Sequence, residues 1–101
     1  MSLNFIEKRN TIKELAANRE IAGLTFEEIA NDLQTNAAVI EQIFSLQTNV
    51  IENPWVLKEY LADKIQAAGK VAIDYTALVG DYHEYWFLNS QYIDQQKITR
   101  N

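Results

Sequence analysis

His83 is the only histidine in the chain, and Asp81 and Glu84 stand close beside it. An imidazole next to two carboxylates can act as a base or hold a metal ion. Zinc and iron sites built on imidazole draw on further histidines or on thiolates, and this chain offers one histidine and no cysteine. The lack of cysteine also excludes disulfides and thiol chemistry. Ser45 and Ser90 lie in no nucleophile-elbow pattern. Gly23, Gly69 and Gly80 are isolated, so no glycine loop is set to cradle a phosphate. The expectation is a protein that is not an enzyme, with no catalytic residue, no metal site and no cofactor.

A second pattern points to DNA. Thr25-Phe26-Glu27-Glu28 reads as a capping box, opening a short helix that buries Phe26, Ile29, Ala30 and Leu33. Gln34, Thr35 and Asn36 interrupt the pattern, and Thr35 or Asn36 caps a third helix running to about Leu46. That helix turns Val39, Ile40, Ile43 and Phe44 inward. Two helices with a three-residue break across residues 25–46 have the spacing of a helix-turn-helix. Ala30 is small enough to let the helices cross closely, whereas Gln34 takes a turn position often held by glycine and predicts a wider or strained turn.

The outward face of the third helix carries Asn36, Ala37, Ala38, Glu41, Gln42 and Ser45. The candidate DNA contacts are therefore Asn36, Ala37, Ala38, Gln42 and Ser45, assisted by Lys8, Arg9 and Lys13 from the first helix. Asn36 and Gln42 can pair with adenine edges. Charge works against this reading. No lysine or arginine occurs between Arg19 and Lys58, an interval holding Glu20, Glu27, Glu28, Asp32, Glu41 and Glu52. DNA readers hang their affinity on basic phosphate contacts. Lys8, Arg9, Lys13 and Arg19 spread over roughly 140° of a helix at about 100° per residue, so they form no narrow stripe. Any DNA binding is expected to be weak.

Aromatic residues make the third uneven feature. Tyr82, Tyr85, Trp86, Phe87 and Tyr92 fall within eleven positions. Core packing accounts for most of them, and Trp86, with the largest area, is the expected anchor against Leu57, Leu61 and Ile65. Tyr82, Tyr85, Trp86 and Tyr92 are also the candidate partner surface, because such rings join apolar area to a hydrogen-bonding tip.

These residues need elements to position them. Asn4 and Glu7 frame a capping box for a helix to Ala22, with Phe5, Ile12, Leu15 and Ala16 as its buried stripe and Gly23 as its stop. Asn53 as N-cap and Pro54 at the first helical position open another, with Leu57, Leu61, Ile65 and Ala68 inward and Gly69 at its end. Beyond it, residues 71–75 suit an extended run, Thr76 to Val79 a helical turn, and Tyr85 to Leu88 a buried strand or a short helix. Asn89 caps a last helix through Ile93 to Lys97. The fold class is mainly α. A small helical bundle contains the helix-turn-helix, and an aromatic C-terminal segment of about 70–98 packs on the unit at about 25–46.

With 101 residues, 48% hydrophobic and 23% charged, the chain suits one globular domain over 1–101. No apolar run reaches the ~20 residues of a membrane span, and the N-terminus lacks the regions of a signal peptide, so a cytoplasmic protein is expected. A net charge of -5 opposes a sequence-independent hold on nucleic acid or on an anionic membrane.

The strings Asn53-Pro54-Trp55-Val56-Leu57-Lys58-Glu59-Tyr60, Ala68-Gly69-Lys70 and Gly80-Asp81-Tyr82-His83-Glu84-Tyr85-Trp86-Phe87-Leu88-Asn89 resemble a bacterial family, domain of unknown function 2316, over most of the chain. The resemblance implies a small helix-turn-helix-like protein and supplies no functional residues. Two functions follow as expectations. One is a weak or divergent DNA-binding transcription regulator. The other is an acidic protein-protein interaction module that keeps the fold without binding DNA, its partner another protein or a second copy of the chain. No membrane partner is expected.

Overall fold

The helix starts follow from side chains that satisfy free backbone N–H groups. In the computed structural model, which describes residues 4–98, Asn4 and Glu7 form a reciprocal capping box on α1 (Phe5–Ala22). Thr25 and Glu28 do the same on α2 (Phe26–Asp32). Asn36 caps α3 (Ala37–Phe44) through Val39 N–H at 3.0 Å. Asn89 caps the short α5 (Ser90–Asp94) through Gln91 N–H. The exception is α4 (Glu52–Ala67): it begins one residue before Asn53, Ile51 takes the cap position without a side-chain bond, and Asn53 is buried instead of capping. Pro54 therefore sits inside the first turn, where its missing N–H still costs nothing.

The helix ends share one motif, in which a left-handed residue lets two amides reach back to orphan carbonyls. Gly23 and Gly69, at φ 70° and 72°, supply it for the long helices α1 and α4. The three short helices end on Gln34, Leu46 and Gln96, at φ 58°, 56° and 51°. Gln34 N–H bonds to Asn31 C=O and Thr35 N–H to Ala30 C=O, and the other two ends repeat this pattern. The strain expected at Gln34 is thus a left-handed backbone on a residue with a Cβ.

The described residues form a small all-α bundle with one 3-10 turn at Tyr82–Glu84 and no strand. Its radius of gyration is 12.5 Å. α1 lies along α4, α2 packs on α3, and α5 packs on α4. Leu15, Ile29, Ile40, Leu57, Leu61 and Ile65 are fully buried at the centre, each large side chain contributing about 1.5–3 kcal/mol by leaving water. Ala30 is 3% exposed, buried between α2 and its neighbours. Tyr60 of α4 donates to the Asp32 carboxylate at 2.5 Å, and Lys64 lies 3.4 Å from the same group, tying α4 to the end of α2.

Two expectations about packing are corrected. On α1 the buried residues are Thr11, Leu15 and Asn18, while Phe5 is 78% exposed and Ile12 and Ala16 also face solvent. The cause is Asn18, whose side chain accepts from Ile73 N–H at 2.8 Å and donates to Ile73 C=O at 3.2 Å. That bidentate clasp turns the polar face of α1 inward. Trp86, the expected anchor, is 92% exposed, and Leu78, Leu88 and Ile93 are buried in its place.

The C-terminal segment is irregular where regular structure was expected. Residues 71–75 run without a sheet partner, residues 76–79 make bends and not a helical turn, and residues 85–88 form a turn closed by Leu88 N–H to Tyr85 C=O. The last helix is shorter than expected, ending at Asp94 and not at Lys97.

Candidate functional site

The outer face of α3 holds the residues that a DNA reader would present, and its chemistry is neutral to acidic. Ala38, Glu41, Gln42 and Ser45 are exposed and Ala37 is half-buried. The side-chain oxygen of Asn36 is engaged in capping α3. Lys8, Arg9 and Lys13 are exposed on α1, but Arg19 is drawn away from solvent contacts. Its guanidinium lies 4.4 Å from the centre of the Phe26 ring and donates to Leu24 C=O at 2.9 Å. Lys8 meets Leu46, just past α3, only as a fellow lining residue of one hollow.

That meeting point is a cleft of about 210 Å³. It is lined by Leu46, Thr48 and Val50 of the α3–α4 connection and by Ile51, Pro54 and Trp55 at the start of α4. Ala77, Leu78, Tyr85, Phe87 and Leu88 of the C-terminal segment and Lys8 of α1 complete the lining. The rings are fixed against one another. Tyr85 lies 5.5 Å from Trp55 and 5.4 Å from Phe87, and its hydroxyl donates to Val79 C=O at 2.8 Å. Trp86 meets Phe87 edge-on at 5.9 Å, outside the cleft.

Two polar groups brace this arrangement from behind. Lys58 donates to Leu78 C=O at 2.6 Å, with its ammonium 4.9 Å from the Trp55 ring. Burial holds the Lys58 pKa below the ordinary lysine value. The Glu52 carboxylate accepts from Asn89 N–H at 2.8 Å, pinning the start of α5 to the start of α4.

His83 forms a separate cluster in which one of the two carboxylates differs from those its neighbours in sequence suggest. Asp81 lies 2.7 Å from Nδ1, but the second carboxylate is Asp94 of α5, 2.8 Å from Nε2, and not Glu84. With an acceptor at each nitrogen, the ring satisfies both only as an imidazolium. Its pKa is raised, first by the bond to Asp81 and then by Asp94. Tyr82 stacks on His83 at 4.2 Å and donates its hydroxyl to Asp94. Burial and that bond both raise the Tyr82 pKa, and the same bond is the first cause lowering Asp94. Among the described residues no group of three or more His, Cys, Asp or Glu side chains is arranged to hold a metal ion.

Of the partner-surface candidates, Tyr85 lines the cleft, Tyr82 belongs to the His83 cluster, and Tyr92 carries Lys97 over its ring at 5.3 Å. Only Trp86 is left standing in solvent. The cleft itself was missed by sequence reasoning. Its signal was the apolar content of a connecting segment, Leu46, Val50 and Ile51, in which polar residues are the norm.

Residues 1–89 match the family described as an uncharacterized protein conserved in bacteria, DUF2316. No curated protein and no solved structure matches. No helix among the described residues is long and apolar enough to cross a membrane. The chain belongs to that bacterial family.

Proposed function

We propose that this member of the bacterial family DUF2316 is a protein-protein interaction module whose docking residue is Trp86. The observation that carries this reading is an indole 92% exposed on a turn whose neighbours are packed. Phe87 and Tyr85 are partly buried on either side, and the Phe87 ring stands perpendicular to the indole, 5.9 Å between centroids. The turn presents the indole to solvent, and tryptophan is prominent among the residues that dominate interface energetics. Asp81 and Glu84 are exposed in the same segment, and the whole chain carries -5. The matching partner has an apolar pocket with a basic rim, which steers association by charge.

The DNA reading has less behind it, because α3 offers no basic side chain and Arg19 is tied to Phe26 and Leu24.

The test compares the full chain with Trp86→Ala. A partner captured by the wild type is purified and titrated against both, and the variant is expected to bind at least about 30-fold more weakly, as for a hot spot of ~2 kcal/mol. The melting midpoint of Trp86→Ala should stay unchanged, since the side chain touches little. Equal affinity of the two proteins for that partner overturns the docking role. A salt-titrated assay on random duplex covers the other reading. The expected dissociation constant is no tighter than ~10⁻⁴–10⁻⁶ M at physiological salt, and sub-micromolar binding restores the DNA class.

A further inference from the structure

We propose that the cleft between the start of α4 and the C-terminal segment binds a small carboxylate with a single aromatic ring or a branched apolar body. This inference rests on the cleft alone and is independent of any role for Trp86.

Size sets the first limit. A dry cavity of about 150 Å³ takes up benzene, and this one measures about 210 Å³. The difference leaves room for a ring plus a short polar head. Wall chemistry sets the second. Trp55, Leu78, Phe87 and Leu88 present apolar surface, and the Tyr85 hydroxyl is already bonded to Val79 C=O. The body of the ligand is therefore apolar.

Charge sets the third limit. The protein has fourteen acidic and nine basic side chains, yet the cleft is lined by one base, Lys8, and by no acid. Among the described residues no carboxylate lies within salt-bridge distance of Lys8. Glu52, next in sequence to the lining residue Ile51, is turned to Asn89 N–H. A cationic ligand meets no counter-charge here, whereas a carboxylate pairs with Lys8 and places its body against Trp55 and Leu88. Charge-assisted bonds of this kind contribute about twice a neutral one.

The test uses the full chain, with benzoate as the probe and benzyl alcohol as its neutral counterpart, read by amide and indole NMR shifts. Benzoate is expected to saturate with a dissociation constant below about 1 mM. The Trp55 indole and the Ala77 and Leu88 amides should move. Benzyl alcohol should bind at least about tenfold more weakly, the gap expected of one charged hydrogen bond. Lys8→Ala, a surface change whose folding is checked by its melting midpoint, should remove that gap and leave benzyl alcohol binding unchanged. Ala77→Phe, which fills the cleft, should abolish both. Failure to saturate, shifts centred away from the cleft, or a benzoate preference that survives Lys8→Ala would each overturn the proposal.

Discussion

Residues 5–67 and residues 70–98 are held in place by different physics. In the first region four helices satisfy their own backbone, and apolar faces press together around Ile40, Leu57 and Leu61. In the second, only α5 and a 3-10 turn are regular, so most of the backbone needs outside partners. Polar side chains of α1 and α4 provide them: Asn18 to Ile73, Glu14 to Thr76, Lys58 to Leu78 and Glu52 to Asn89. Polar positions on a helix are usually read as its solvent face. Here several of them are the clasps that hold an irregular segment, while Phe5, Ile12 and Ala16 of the expected α1 stripe lie outside and Leu15 alone is buried.

The largest effect is expected from the helical region. Leu61→Ala opens a cavity at a fully buried site and should cost about 2–5 kcal/mol, seen as a lowered denaturation midpoint. Asn18→Ala attacks the other region and should cost about 1–3 kcal/mol by leaving the Ile73 amide group without its partners. Its signature is local: hydrogen exchange at Ile73 should accelerate far more than at Ile40 or Ile43. Equal acceleration at all three would mean that the two regions open as one unit, and the contrast between them would collapse.

Gln34→Gly should raise stability by up to about 1 kcal/mol, since glycine adopts the left-handed backbone without strain while losing more freedom on folding. An unchanged or lower midpoint would show that the turn is not strained.

The smallest effect is the pH dependence of the His83 cluster, which is exposed. Its raised pKa means that the histidine contribution is complete below the unfolded value near 6.5 and is lost as pH rises through the higher folded value. Asp81 and Asp94 are lowered, so their contribution is present above the ordinary value of 3.8 and is lost as pH falls through their folded values. His83→Gln should remove the alkaline loss and leave the amide protection of α2 and α3 untouched.

Local signals made much of the fold legible. Asn4, Thr25 and Asn89 could be named as caps, the α3 cap narrowed to Thr35 or Asn36, and Gly23 and Gly69 named as stops, because the partners of a helix end lie within a few residues. The α4 start was misread because Asn53 resembles a cap but is buried, a fact of packing. Trp86 was misread as an anchor because area alone does not say which residue the turn at 85–88 points inward; that turn buries Leu88 and leaves the indole outside. The candidate site was less legible still. Lys8, Trp55, Leu78 and Phe87 lie far apart in the chain, and nothing in their spacing announces a shared cleft.

By itself the sequence determined the class of fold, the boundaries of α1 to α4 to within a residue or two, the net negative charge and the lack of basic side chains on α3, since all of these depend on composition or on neighbours within one helical turn. Tertiary structure alone decided which face of α1 is buried, where the rings of the C-terminal segment lie, which carboxylate His83 takes as its second partner, and that a cleft forms beside Lys8. Each of those depends on pairing between residues such as Asn18 and Ile73. Without sheet ladders among the described residues, such pairings can form at many positions, and only the closed packing of the whole selects among them.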